Sequence, residues 1–315
     1  MSHLGLIVLH LFLSILNVLL HTLGLYLLLT IYKNGKNETP QQLFLIHLTV
    51  CEILINFFGI LRGVDDIISE STNCGEIDSL LVNVNEYVMI LSFTGVSVVY
   101  YITMIYLTVD RLADILLNIK YHLYWDTRRT NVLMCITWIA GLLLSGIISL
   151  LYKFTGFEWE NVFYKYFLPI LNFSFITISL VTYVCIFRIY KRTHDTKWGQ
   201  RGTRRALSSW QVFRRSRFYV SVLMILTFLV FMVIPDLSYL FLVVIRGDKT
   251  RDFLLLCCYI SYGICNIIDA WIYIYLQAPV RRLLIRKLHL TAGDTYFFNK
   301  KTSTYKNIAI ITTDL

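Results

Sequence analysis

The sequence predicts an all-α integral membrane protein: a bundle of seven transmembrane helices with a short amphipathic helix on the cytoplasmic face. Three observations carry this. Of 315 residues, 57% are hydrophobic and only 16% charged, with a mean hydropathy of +0.62, which is too apolar for a soluble domain. Seven long apolar runs follow one another, and a span of about 30 Å at 1.5 Å per residue needs about 20 residues each. The basic residues also gather on alternate connections between these runs.

The runs are Leu4–Tyr32, Gln42–Gly63, Asn83–Leu112, Asn131–Leu151, Val162–Tyr190, Phe218–Val244 and Phe253–Leu276. The first has no basic start, extends beyond a signal-peptide core and shows no small-residue cleavage site, so it reads as a true span. Pro169 and Pro235 fall inside the fifth and sixth runs, where a missing backbone donor predicts kinks. After the seventh, Pro279 precedes the basic-apolar segment Val280–Leu290, which reads as the amphipathic helix. Residues 1–290 thus form one membrane domain and 291–315 a cytoplasmic tail. The two halves show no repeat of the inverted kind common in transporters.

With the amino terminus outside, 23 of the 29 Lys and Arg residues lie on the inner side. Only Arg62, Lys153, Lys165, Arg246, Lys249 and Arg251 fall outside. The net charge of +9 therefore reads as topology, with the carboxyl terminus cytoplasmic, and not as nucleic-acid binding. In the same frame the sequon at Asn37 is internal and that at Asn172 lies within the fifth span, so neither is expected to carry glycan. Seven cysteines without a Cys-x-x-Cys pair argue against zinc and against a disulfide scaffold. No catalytic constellation appears, so an enzyme is not expected.

The motifs are more specific than the span count. Asp110-Arg111-Leu112 closes the third span, Asn118-Ile-Lys-Tyr121 follows, and Trp138 stands alone within the fourth. The seventh span carries Asn266-Ile-Ile-Asp269-Ala-Trp-Ile-Tyr273. Taken in this order, from Leu4 to Leu290, the chain resembles a divergent rhodopsin-like (class A) G-protein-coupled receptor. Members of that family end the third span with Asp-Arg-Tyr and carry Asn-Pro-x-x-Tyr in the seventh. The resemblance implies a receptor that senses an extracellular ligand and activates a heterotrimeric G protein. It also implies that Asp110 restrains Arg111 at rest, and that Arg111, with Tyr273 across the inner face, forms the coupling switch. Simple snorkelling of Arg111 to the headgroups is the alternative.

Several family positions differ. Gly24 stands for the first-span Asn, Glu52 for the second-span Asp, Thr177 for the fifth-span Tyr and Val233 for the sixth-span Trp. The family's outer disulfide cannot form, because Glu86 takes one cysteine's place and Tyr152–Asn161 holds no cysteine. Cys74 with Cys257 or Cys258 is the remaining outer pairing, and buried thiols are the expectation.

Glu52, Asn266 and Asp269 form the candidate intramembrane site. Ten residues in from Gln42 and seven in from Leu276 place the two carboxylates at comparable depth, about 15 Å and about 10 Å. In the resembling family these positions face each other. They would then share a proton or hold a sodium ion, although Tyr100 in place of the family's third-span Ser counts against sodium. A hydrogen-bonded packing knot is the competing reading.

For the ligand, Phe93 replaces the Asp of amine receptors and Gly263 the Lys of retinal-binding opsins, excluding a monoamine salt bridge and a retinal Schiff base. Phe93, Ser97, Lys165, Asp236 and Tyr259 remain as cavity candidates, with a Lys165–Asp236 ion pair as the alternative for those two. The segment Arg188–Arg217 has ten basic residues against Asp195, with Trp198 and Trp210 interleaved, and suits anionic lipid and a G protein. The tail holds no cysteine for palmitoylation and ends Thr313-Asp314-Leu315, a pattern read by PDZ domains. A seven-span transporter or channel using Glu52, Asp269, Asp236 and Lys165 is the rival reading.

Overall fold

A computed structural model of the chain describes residues 3–34, 40–71, 90–117, 121, 126–155, 167–197, 226–235, 237, 251–272 and 278–287. Every regular element among these residues is helical, and none is a strand. In lipid the backbone has no water to bond, so a long apolar segment satisfies its amides internally as a helix. Helix α1 is His3–Asn34 and α2 is Pro40–Ser71. A π-helical stretch, Leu91–Val96, leads into α3, Ser97–Leu117. Helices α4, Thr127–Thr155, and α5, Leu168–Lys197, follow. Of the sixth run the π-helix Leu229–Val233 is seen, then α6, Arg251–Ala270, and α7, Ala278–Lys287.

Four of these helices are long and apolar enough to cross a membrane: Leu4–Lys33, Pro40–Asp65, Thr127–Thr155 and Pro169–Arg188. Shorter apolar stretches run from Thr94 to Asp110 and from Leu256 to Ala270. Their outward faces carry large apolar side chains such as Phe12, Leu19, Leu143, Phe154 and Phe173. A surface this apolar associates with a membrane.

The helices close into a circle. Helix α1 packs on α2, α2 on α3 and α4, α4 on the Leu91–Val96 segment and α3 on α5. Helix α5 then meets the Leu229–Val233 turn, which packs on α6, and α6 returns to α1. Helix α7 lies against α1, with Val280 buried and Leu283 and Leu284 packed on the core, as the amphipathic reading requires. The core centres on aromatic contacts: Phe228 stacks on Phe175 at 4.5 Å and meets Tyr101 edge-on at 5.9 Å. Each such pair contributes about 0.5–1.5 kcal/mol beyond simple burial.

Polar side chains inside the helices satisfy themselves locally. The hydroxyls of Thr49, Thr103, Thr108, Thr137 and Ser145 donate to the carbonyls four residues earlier. Asp126 caps α4, its carboxylate accepting from the Arg129 amide at 2.7 Å. Trp138, the lone tryptophan of the fourth span, donates to His47 Nδ1 of α2 at 3.2 Å. Tyr101 donates to Asn172 Oδ1 at 2.5 Å, so the second sequon's asparagine is buried and engaged between α3 and α5.

One boundary differs from expectation. Helix α2 continues past Gly63 to Ser71, because a helix does not stop where its apolar run stops. Pro169 lies near the start of the described part of α5. Pro235 follows the π turn, in which the Ile234 amide bonds five residues back to Leu229. The Phe231 carbonyl of that turn accepts from Ser261 Oγ of α6 at 2.8 Å. Cys258 Sγ adds a bond to the Pro235 carbonyl at 3.5 Å. Ser261→Ala should therefore cost about 1 kcal/mol of stability. Unfolding midpoints of the two chains in detergent check this, and an unchanged midpoint would show that the bond adds nothing.

Candidate functional site

Helix α1 brings a polar stripe into the bundle. His10, Ser14, Asn17 and His21 recur at spacings of four, three and four residues, which places them on one face of the helix. All four are buried, Asn17 and His21 at 0% exposure. The stripe faces α2 and α6, the two helices on which α1 packs most extensively.

At its carboxyl-terminal end the stripe meets the residues expected to form the intramembrane site. His21 Nδ1 lies 2.7 Å from Glu52 Oε2, close enough for an ion pair though not aligned as a directed hydrogen bond. Its Nε2 lies 3.2 Å from the Asn266 main-chain carbonyl. One turn away, Asn17 Nδ2 donates to the Gly263 carbonyl at 2.9 Å. Cys265 Sγ approaches Asp269 Oδ2 at 3.6 Å, and the Glu52 carbonyl accepts from Asn56 at 2.8 Å. Glu52 and Asp269 are each 1% exposed, and both lie within electrostatic reach of the Tyr100 hydroxyl and the Cys265 thiol. Glu52, Asn266 and Asp269 thus share one buried neighbourhood, joined by Asn17, His21, Tyr100 and Cys265.

The cluster is under-satisfied. Glu52 Oε1, Asn17 Oδ1 and Tyr100 Oη have no hydrogen-bond partner among the described residues. Buried polar atoms left so cost about 1–3 kcal/mol each, and such clusters mark sites that bind or change state. Among the described residues no three His, Cys, Asp or Glu side chains converge as a metal site.

At the amino-terminal end of the stripe, the Tyr259 ring packs on His10 at 5.4 Å and lies under the Arg62 guanidinium at 5.1 Å. Tyr259 therefore presents a face to α1 and α2. Ser97 is buried where the π-helical stretch becomes α3. Phe93 lies in that stretch, and its side chain, with Lys165 and Asp236, falls outside the described residues. In the carboxyl-terminal half of α3, Asp110 is 4% exposed and its carboxylate accepts from the Tyr121 hydroxyl. The Arg111 side chain and Tyr273 lie outside the described residues, as do Cys74, Glu86 and the tail from 288 onward.

Sequence reasoning that looked for charges at membrane depth found the carboxylates and passed over His21 and Asn17. The spacing of the four polar residues in an otherwise apolar run was the available signal. No protein-family model matches the chain, and no curated protein matches it.

Proposed function

We infer that the chain is a seven-span receptor that senses an extracellular ligand and activates a heterotrimeric G protein, with its amino terminus outside and carboxyl terminus in the cytoplasm. The observation that carries this reading is the buried Asp110 carboxylate, tied to Tyr121 at the foot of α3 beside Arg111. In that arrangement Asp110 restrains a neighbouring guanidinium that is released when helices part. The circle of helices and the convergence of Glu52, Asn266 and Asp269 support the same reading. Phe93, Ser97, Lys165, Asp236 and Tyr259 border the ligand cavity, the basic segment after α5 meets lipid and G protein, and the carboxyl-terminal Thr313-Asp314-Leu315 engages a PDZ domain.

A second-messenger panel in cells expressing the chain, read without ligand and then with tissue extracts, tests this. Output above vector controls in at least one channel is expected. Silence in every channel at verified surface expression would remove the reading.

Within it, Asp269→Asn should change basal output and Glu52→Gln should change it non-additively, because groups in one buried cluster do not act independently. A double-mutant cycle at matched surface expression checks this, and additive effects would make the two residues separate packing polars.

The polar stripe on α1 favours one rival, a transporter or channel that moves ions along the α1–α2–α6 seam. Flux into liposomes containing only this chain would establish it.

A further inference from the structure

We propose that one proton shared between His21 Nδ1 and Glu52 Oε2 is the counter-ion of the buried carboxylate, and that this proton ties α1 to α2 and α6. The argument is a count of donors. The Asn266 main-chain carbonyl can only accept, so His21 Nε2, 3.2 Å away, carries a hydrogen. A neutral imidazole has one N–H, which leaves Nδ1 with a bare lone pair. Nδ1 lies 2.7 Å from Glu52 Oε2, off the axis of a directed bond, and a neutral ring beside an ionised carboxylate there would leave a buried charge without a counter-ion. A proton therefore sits between them, as imidazolium beside carboxylate or as imidazole beside carboxylic acid. Both forms carry no net charge, which is what a pair exposed 0% and 1% requires.

The surroundings support this placement. From α1, Asn17 adds no charge. From α2, Cys51 is buried beside Glu52 on the chain. Tyr100 faces the pair from α3, and Cys265 and Asp269 face it from α6. His47 is engaged elsewhere, by Trp138 of α4. No Lys or Arg among the described residues forms an ion pair with Glu52, so His21 is its only described cationic partner. The site assigned here is a proton site, and it makes His21 a positioning residue that links three helices.

Two measurements on the purified full chain in lipid nanodiscs test this, and neither depends on whether the chain signals. The first is a thermal-unfolding cycle with His21→Gln, Glu52→Gln and the double variant. Each single variant should lower the midpoint, and the double variant should lower it by clearly less than their sum. Additive shifts would overturn the proposal. The second is nitrogen-15 magnetic resonance of histidine-labelled native chain, with His21→Gln assigning the resonance, and it does not require Glu52→Gln to fold. A proton on His21 Nδ1 or on the Glu52 carboxyl, the latter read from a carbon-13 label on glutamate, is expected, unchanged when sodium replaces choline at constant ionic strength. A bare Nδ1 beside an ionised Glu52 carboxylate, or displacement of the proton by sodium, would refute the shared proton.

Discussion

Replacing Arg111 with alanine is expected to reduce G-protein activation to the level of cells lacking the chain, while surface expression stays near that of the native protein. The expectation follows from the foot of α3. Asp110 is buried and engaged by Tyr121, eleven residues further on, so the carboxylate is fixed in place about two turns before α3 ends at Leu117. Arg111 is the next residue, and its planar guanidinium offers five donors in a rigid fork that a carboxylate or a row of backbone carbonyls can hold. Alanine keeps helix propensity and removes only the fork, so folding should be spared. Arg111→Lys keeps the charge without the fork and should recover only part of the output. Tyr121→Phe removes the hydroxyl that holds Asp110 and should raise basal output, because the restraint on Arg111 weakens. Second-messenger output at matched surface level is the measurement. Full signalling by Arg111→Ala would show that Arg111 merely reaches the headgroups.

The positions of the apolar helices were legible because lipid imposes one requirement, an unbroken apolar run long enough to cross, and such a run is visible without any partner. The comparable depth of Glu52 and Asp269, about 15 Å and about 10 Å in from the ends of their runs, was legible along the helices, while their facing each other was implied by the family resemblance. His21 was not, because a histidine in an apolar helix gains meaning only from what lies opposite it. Here that is Glu52 on another helix at 2.7 Å. The brace across the turn before Pro235 was not legible, since nothing near Phe231 in sequence says that Ser261, on another helix, supplies a donor. The crossing of Gly95 and Gly141 left half a signal: Thr137, Gly141 and Ser145 recur every four residues as a buried small-residue stripe, but nothing in that spacing names Gly95, 46 residues earlier, as the partner.

At that crossing, Gly141→Val is expected to abolish the folded bundle and Gly141→Ala to destabilise it by about 1–3 kcal/mol. A Cβ at position 141 would lie 2.7 Å from Val99 Cγ2 and 2.8 Å from the Gly95 carbonyl oxygen. The valine methyl can move, but the carbonyl belongs to the backbone of the π-helical stretch entering α3 and has no rotamer to change. From the other side, a Cβ at Gly95 would strike Ser145 Oγ, whose hydroxyl is held by the Gly141 carbonyl at 2.7 Å. Both helices therefore pack through bare backbone, and a methyl on either drives them apart. An opposing effect exists, because alanine is favoured over glycine in a helix by about 1 kcal/mol. Gly146, on the same helix, isolates that effect, since a Cβ there would meet nothing within 4 Å. Gly146→Ala should leave the chain as stable or slightly more so, while Gly141→Ala, the same substitution five residues earlier, should lower the temperature at which the protein leaves its monodisperse peak on heating in detergent. If the two alanine variants melted alike, the contact between the Leu91–Val96 segment and α4 would not be as close as the distances state, because propensity alone acts equally at both positions.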